Sequence, residues 1–226
     1  MSVADEKKAL RASQLALREQ LAQATPDAGA RASSVFPVEV LRAWQQAQPG
    51  DPGEVRLREG SPRLAGQRPP GPPDPGERVT VVAGTFPMKS ELDPRPLMRR
   101  LEALGATLAL PRVIRRGQPL VFHAWTAATR FVTSRFGVTE PAPETPVVEP
   151  DLLLVPLLAF DRTGARLGYG GGFYDATLSS LRARRAALAI GVAWAGLEVA
   201  AVPVEPHDQR LDAVCTEREW IAPPVT

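Results

Sequence analysis

The chain has 226 residues, of which 44% are hydrophobic and 23% charged, a composition that allows a buried core and is ordinary for a soluble protein. Its 27 basic and 25 acidic residues give a net charge of +2, too small for the electrostatic footprint of a nucleic-acid-binding protein despite a pI of about 9.0. The single cysteine, Cys215, excludes an intramolecular disulfide and suits a reducing cytoplasm.

The first third of the chain predicts two helices and a long loop. Leucines recur at helical spacing within residues 3–24, and a second helix is expected over residues 37–47. The first segment has early acidic residues and no apolar stretch, so we expect no secretory signal, and no apolar run reaches the roughly 18 residues that span a bilayer. Residues 49–76 are rich in proline and glycine, which predicts a surface loop inserted into one domain comprising residues 1–226.

The rest of the chain alternates strands with helices, which predicts an α/β fold with a largely parallel sheet. Residues 151–160 are almost continuously apolar, as is typical of a central parallel strand covered on both faces. His123 alternates with apolar residues in a predicted strand, and Cys215 lies in another, so we expect structural roles for both. Strands are predicted over residues 78–84, 106–113, 119–125, 151–160, 187–194 and 211–217, helices over 95–105 and 173–185, and a proline-rich loop over 140–150.

A glycine-rich segment, RLGYGGGFYD at residues 166–175, follows the central strand and leads into a helix. Glycines let backbone N–H groups approach a phosphate, and the helix N-terminus adds a positive partial charge. Arg166 supplies a forked cation, and Asp175 is a candidate Mg²⁺ ligand. These features indicate a nucleoside triphosphate site, although a strained turn with Asp175 as a first-turn charge explains the glycines alone equally well.

Two standard nucleotide motifs are absent from this segment. The third glycine of G-x-G-x-x-G is replaced by Phe173, and no glycine pair is followed by Lys-Ser or Lys-Thr at the spacing of G-x-x-x-x-G-K-[ST]. The segment is therefore neither a Rossmann fingerprint nor a P-loop.

The segment VPLLAFDRTGARLGYGGGFYD resembles the signature of the 5-formyltetrahydrofolate cyclo-ligase family, also called 5,10-methenyltetrahydrofolate synthetases. The resemblance extends to KKALR near the start of the chain, FPMKSELDP in the middle and HDQRLDAVCTE near the end. It covers most of the chain and leaves out residues 49–76, a loop that is longer than usual for the family. Phe173 replaces a common tyrosine, which removes any hydroxyl contact there, and neither departure alters a charged position.

The resemblance implies a three-layer α/β/α fold similar to that of sugar-phosphate isomerases and CoA transferases. It also implies an enzyme that uses ATP and Mg²⁺ to convert 5-formyltetrahydrofolate into 5,10-methenyltetrahydrofolate, with release of ADP and phosphate. We expect a cytoplasmic monomer that binds neither nucleic acid nor membrane. The main alternative is a non-catalytic folate- or nucleotide-binding relative that sequesters 5-formyltetrahydrofolate; the presence of Lys7, Arg166 and Asp175 favours catalysis.

The resemblance further implies roles for individual residues. The catalytic residues would be Lys7, Arg166 and Tyr174, and Mg²⁺ would be held by Asp175 and Asp208. Folate would contact Arg11, Phe86, Glu91, Tyr169, Gly170, Gly171, Gly172 and Phe173. ATP would contact Lys7, Arg11, Arg166, Leu167, Gly168, Tyr169, Gly170, Gly171, Gly172, Phe173 and Tyr174.

Each of these assignments has a structural alternative. Lys7 and Arg11 could form the solvated face of the first helix. Glu91 could belong to the N-terminal cap of the helix that follows it. Phe86 could be a core residue, and Asp208 could cap a turn.

Overall fold

The computed structural model describes residues 2–46, 79–134 and 137–224. Within these ranges the helices are α1 (Val3–Ala24), α2 (Ala28–Val35), α3 (Glu39–Gln46), α4 (Arg95–Ala103) and α5 (Phe173–Arg182). The strands are β1 (Val81–Ala83), β2 (Thr107–Arg112), β3 (Val121–Ala124), β4 (Phe131–Thr133), β5 (Thr139–Pro141), β6 (Leu152–Pro156), β7 (Ala159–Phe160), β8 (Arg166–Leu167), β9 (Leu188–Val192), β10 (Ala213–Cys215) and β11 (Trp220–Ile221). None of these helices is both long and apolar enough to cross a membrane.

The largest sheet has seven strands in the order β11-β10-β9-β6-β1-β2-β3. Its five inner strands are parallel, and the edge strands β3 and β11 are antiparallel to their neighbours. One cluster of buried side chains joins this sheet to α2, α3, α4 and α5. Strand β9 is buried along its whole length, and β6 along all of it but its last residue, as expected for central parallel strands with both faces covered. The predicted α/β class with a largely parallel sheet is confirmed.

Local sequence explains where the helices that frame the sheet begin and end. Helix α1 starts with a capping box, in which Ser2 and Asp5 each bond the other's backbone N–H at 3.2 Å. Helix α4 ends at Ala103, and the predicted glycine stop follows at Gly105, whose φ of 91° lets the N–H of Ala106 reach the carbonyl of Leu101 at 3.1 Å. Of these two helices, α1 contributes Lys7 and Arg11 to the cavity described below.

Several predicted elements differ from those observed. The predicted strand 151–160 is two strands, because the chain leaves the sheet after Pro156 and β7 pairs instead with β8 in a separate two-stranded sheet. Helix α2 was not predicted, and α5 ends at Arg182, three residues before the predicted end. Strand β5 overlaps the start of the loop predicted over residues 140–150. The predicted insertion, residues 49–76, lies outside the described residues.

The strand order creates a crevice. From β1 the chain proceeds to β2 on one side, whereas from β6 it proceeds to β9 and β10 on the other, so the direction reverses between β1 and β6. In open α/β sheets ligands bind beyond the carboxyl ends of the strands at such a switch point. The fold therefore places a candidate site just beyond Ala83 and Pro156.

Candidate functional site

A cavity of about 550 Å³ opens at this switch point. Its walls include Thr85 after β1, Leu110 and Pro111 in β2, and Pro156 at the end of β6. Every predicted site residue lines it: Lys7, Arg11, Phe86, Glu91, Arg166, Leu167, Gly168, Tyr169, Gly170, Gly171, Gly172, Phe173, Tyr174, Asp175 and Asp208. The fold thus gathers the whole set from distant parts of the chain, while their individual roles stay predictions.

The glycine loop, residues 168–172, presents backbone rather than side chains to the cavity. Gly170 and Gly172 have φ values of +86° and +69°, in the left-handed region that other residues adopt only with strain. Gly172 is the N-terminal cap of α5, and no side chain caps that helix. The first backbone N–H groups of α5 and its positive end therefore remain available to an anion.

Arg166, which is buried, and Asp175, which is partly exposed, form an ion pair on one wall of the cavity. The Nη2 of Arg166 donates to Oδ1 of Asp175 at 2.6 Å, and its Nη1 donates to the carbonyl oxygen of Gln209. The N–H of Gln209 donates to the same Asp175 oxygen at 3.0 Å. Burial lowers the pKa of Arg166, and the charge of Asp175 opposes that effect. The ring of bonds fixes the arginine and leaves Asp175 Oδ2 without a hydrogen-bond partner among the described residues.

Lys7 also lines the cavity and is buried, with 5% of its surface exposed. Its Nζ donates to Glu205 Oε2 at 2.8 Å and to Asp208 Oδ2 at 2.5 Å. Burial alone would lower the pKa of Lys7, but these two carboxylates outweigh it and raise the pKa. A solvated helix face is therefore wrong for Lys7. Arg11, one turn later, donates from Nε to the Gly168 carbonyl at 2.9 Å, so α1 holds the glycine loop directly.

Asp208 caps a turn, while its role as a metal ligand stays a prediction. Its Oδ2 accepts the Glu205 N–H at 2.7 Å, which confirms the turn-capping alternative. Burial alone would raise the pKa of Asp208, but hydrogen bonds from Lys7 and from that N–H lower it. Donor atoms of Glu205, His207 and Asp208 lie within 4.8 Å of one another, a spacing that could hold a cation.

The two predicted metal ligands suit Mg²⁺ by their chemistry, because Mg²⁺ takes oxygen donors. Asp175 has one free oxygen and is bonded to Gln209, the residue next to Asp208. Glu205 and Asp208 already converge on one cation, the Lys7 ammonium. Sequence reasoning missed Glu205, which belongs to this carboxylate group.

Glu91 lines the same cavity, and 6% of its side chain is exposed. Its Oε2 accepts the Met88 N–H at 2.8 Å, whereas its Oε1 is buried without a hydrogen-bond partner. Burial raises the pKa of Glu91, against the opposing effects of Met88, Tyr169 and Arg18. The capping alternative for Glu91 is wrong, since Asp93 is the residue that accepts the first helical N–H of α4.

Phe86 lines the cavity and packs on two further aromatic side chains. Phe86 packs edge-to-face on Trp125 and against Phe131, with ring centroids 5.4 Å apart in both pairs. Phe86 is partly buried against the core cluster, as the structural alternative predicted, and it also lines the cavity. It therefore offers the cavity an apolar aromatic surface, and its contact with a pterin stays a prediction.

Two buried charged residues of the site region were not predicted. Arg18 is 1% exposed, and Glu140, a cavity-lining residue of β5, is 2% exposed with one unpartnered oxygen. Arg18 could have been found, because it follows Arg11 by seven residues and shares its helix face. Nothing in the sequence around Glu140 separates it from an ordinary loop acid.

The predicted structural residues are confirmed as such. His123 is buried in β3, with Nδ1 2.6 Å from the Thr145 carbonyl oxygen. Cys215 is fully buried in β10, and burial raises the pKa of its thiol to about 12. A thiol of that kind is not a nucleophile near neutral pH.

Comparison with known proteins agrees with this geometry. The model of the 5-formyltetrahydrofolate cyclo-ligase family matches residues 77–217, which include the glycine loop, Glu91, Asp175 and Asp208. The chain belongs to the 5-formyltetrahydrofolate cyclo-ligase family. A 5-formyltetrahydrofolate cyclo-ligase of Mycolicibacterium smegmatis is 38% identical over 151 residues, which cover 62% of this chain and 75% of that protein. The cyclo-ligase of Escherichia coli K12 is 36% identical over 149 residues, covering 62% and 81%.

Two solved structures share the fold of this cyclo-ligase family member. A 5,10-methenyltetrahydrofolate synthetase from Aquifex aeolicus superimposes with a TM-score of 0.62 at 24% identity, covering 97% of this chain and 94% of that one. A synthetase from Mycoplasma pneumoniae gives a TM-score of 0.60 at 20% identity, covering 94% and 99%. The shared architecture therefore extends beyond the 77–217 match of the family model.

Proposed function

We propose that this chain is an ATP- and Mg²⁺-dependent 5-formyltetrahydrofolate cyclo-ligase, which forms 5,10-methenyltetrahydrofolate and releases ADP and phosphate. The observation that carries the proposal is one cavity that joins the family's glycine loop and two buried cations to a buried carboxylate acceptor. Such a cavity suits a ligand with a phosphate chain at one end and a flat N–H-bearing ring at the other. We further propose a cytoplasmic monomer with one catalytic domain.

The reaction needs activation of a poor leaving group. In our proposal the formyl oxygen takes the γ-phosphoryl group of ATP, and ADP departs. N10 of the folate then attacks the formyl carbon and loses its proton, and the C–O bond breaks so that phosphate leaves with the former formyl oxygen. Phosphoryl transfer of this kind asks a protein mainly for alignment and charge neutralisation.

The cations and glycines would bind and align the triphosphate. Lys7 and Arg166 are buried and charged, so their fields act on phosphate oxygens with little screening by water. The glycine loop and the open start of α5 would supply backbone donors, and Arg11 would hold the loop in place. Burial raises the pKa of Tyr174, which keeps its hydroxyl protonated and able to donate. Mg²⁺, held by Asp175 and Asp208, would neutralise phosphate charge.

The folate end would be held by Glu91 and Phe86. The Oε1 of Glu91, which accepts no hydrogen bond among the described residues and lies 3.7 Å from Arg18 Nη1, would accept an N–H of the pterin, and Phe86 offers a face to its ring. Tyr169 to Phe173 and Arg11 would lie between the two ligands. Phe173 can only pack, because it lacks the hydroxyl of the usual tyrosine.

The proposal is tested by mixing purified protein with 5-formyltetrahydrofolate, ATP and Mg²⁺ and following methenyltetrahydrofolate by its near-ultraviolet absorbance. We expect product only when all three components are present, with one ADP per product. Absence of product with 5-formyltetrahydrofolate still bound would support the sequestering relative and overturn the proposal.

Gly170→Ala is expected to raise the KM for ATP about tenfold, because misplaced binding groups lose much of their effect. An added Cβ would lie 3.3 Å from the Arg11 guanidinium carbon, and the φ of +86° would be strained. The matched control is Gly117→Ala, at a φ of +75° with nothing within 4 Å. Both variants should lose roughly 1–2 kcal/mol of unfolding free energy. An equal KM in the two variants would contradict a nucleotide role for the loop.

A further inference from the structure

Arg18 is a buried cation that the proposed mechanism does not use. It lies on α1 and is 1% exposed, more deeply buried than Lys7 at 5%. Positions 7, 11 and 18 share one helix face, so the stripe that contains Lys7 and Arg11 continues to Arg18. A guanidinium is rarely buried unless its partners compensate for the lost water. Its partners therefore indicate what it does.

The partners of Arg18 belong to two different loops, the loop after β1 and the glycine loop. Arg18 Nε donates to Ser90 Oγ at 3.0 Å, and its Nη1 lies 3.7 Å from Glu91 Oε1. The same Nη1 donates to the Tyr169 hydroxyl, and the guanidinium carbon lies 5.4 Å from the centre of that ring. Ser90 and Glu91 belong to the loop after β1, whereas Tyr169 belongs to the glycine loop. Arg18 therefore contacts both the loop after β1 and the glycine loop.

Arg18 acts from behind the cavity wall. Glu91 and Tyr169 line the cavity, and Arg18 is not among the residues that line it. Of the two partners, Tyr169 is the exposed one, with 45% of its surface accessible. A ligand would contact Glu91 and Tyr169, and Arg18 would fix the positions of these two side chains.

We propose that Arg18 is a positioning residue that fixes the Glu91 carboxylate and the Tyr169 hydroxyl relative to each other, so that one side chain sets the geometry of both the folate pocket and the glycine loop. This inference rests on the proposed function, because it takes Glu91 as the acceptor for the pterin. It assigns Arg18 no contact with either ligand.

Electrostatics give the proposal a distinctive consequence. Burial raises the pKa of Glu91, and the N–H of Met88, the hydroxyl of Tyr169 and the charge of Arg18 each lower it. Tyr174, which also interacts with Glu91, is neutral because burial raises its own pKa. Without Arg18 the pKa of Glu91 rises further. A carboxyl group is protonated below its pKa, so binding that needs the carboxylate is lost as the pH falls, and is lost at higher pH in a variant that lacks Arg18.

The test compares Arg18→Met, which keeps the length of the side chain without charge or donors, with Arg18→Lys, which keeps the charge. Arg31→Met is the control, since Arg31 on α2 is exposed and pairs with Asp27, the residue before that helix. Steady-state KM for each substrate and kcat are measured from acidic to mildly alkaline pH. Arg18→Met should raise the KM for 5-formyltetrahydrofolate about tenfold at neutral pH and more at lower pH. Arg18→Lys should recover the pH profile but not the full affinity.

Each outcome decides between the possibilities. A folded Arg18→Met protein with an unchanged KM and pH profile would overturn the proposal, as would a uniform loss of kcat with no change in pH dependence. If Arg18→Met does not fold, Tyr169→Phe removes the hydroxyl group that Arg18 bonds and should raise the KM for both substrates. If the unmodified protein makes no product, the proposed function fails, and the pH dependence of 5-formyltetrahydrofolate binding by tryptophan fluorescence still tests Arg18.

Discussion

Asp175→Asn is expected to lower kcat by about two to three orders of magnitude, the range seen when one preorganised electrostatic group is removed. The substitution keeps the size of the side chain but removes the charge that pairs with Arg166 at 2.6 Å. It also removes one of the two carboxylates proposed to hold Mg²⁺. Arg166 would then lose its hydrogen-bonded counterion and be free to shift away from the phosphates. The measurement is kcat at saturating ATP and 5-formyltetrahydrofolate over a titration of Mg²⁺.

The control for Asp175→Asn is Asp212→Asn. Asp212 pairs with Arg182 of α5 at 2.7 Å, the same kind of ion pair on the same helix, and does not line the cavity. This variant should lose stability but keep its kcat and its Mg²⁺ dependence. Similar kcat values in the two variants would show that loss of an ion pair on α5, and not the site, explains the effect.

Lys7→Met is expected to lower kcat/KM for ATP by about two orders of magnitude, because a buried cation acts on phosphate charge with little screening. The ammonium that bonds Asp208 at 2.5 Å and Glu205 at 2.8 Å would be lost, leaving two carboxylates that repel the triphosphate. The KM for 5-formyltetrahydrofolate should change much less, since Glu91 is not a partner of Lys7. Initial rates at varied ATP and fixed folate measure the effect.

Lys8→Met is the matched control for this variant. Lys8 is the next residue of α1 and is exposed, so the substitution changes the net charge equally without touching the cavity. It should behave as the unmodified protein. If Lys8→Met reduced kcat/KM for ATP as much as Lys7→Met, the effect would come from overall charge, and the assignment of Lys7 to the phosphates would be wrong.

The glycine loop could be located from sequence because its determinants are local. An apolar strand, four glycines and a helix start follow one another within residues 151–182, and the structure retains that order. The errors in this region were the extents of two elements, because the strand was predicted too long and α5 ends three residues before its predicted end. Pro156 ends β6, and the next residues turn away so that the Leu158 N–H bonds the Leu167 carbonyl at 2.7 Å. Hydrophobicity alone does not distinguish a buried strand from the buried turn that follows it.

The rest of the site depends on contacts across the chain, which periodicity cannot supply. Lys7 meets Asp208 across 201 positions and Arg18 meets Tyr169 across 151. The family motifs brought Lys7 into the prediction, whereas Arg18 lies outside them and was missed. Helix α2 was missed because its eight residues, AGARASSV, include glycine and serines of low helix propensity; it is stabilised by packing against α4.

Activation of the formyl oxygen by the γ-phosphate of ATP is the step on which the proposed function depends. It is tested most directly with 5-formyltetrahydrofolate labelled with ¹⁸O in its formyl group, followed by mass analysis of the phosphate released in a single turnover with ATP and Mg²⁺. We predict that the inorganic phosphate carries the label. Phosphate without label, formed in step with methenyltetrahydrofolate, would show that the oxygen leaves by another route and would contradict the proposed phosphorylation.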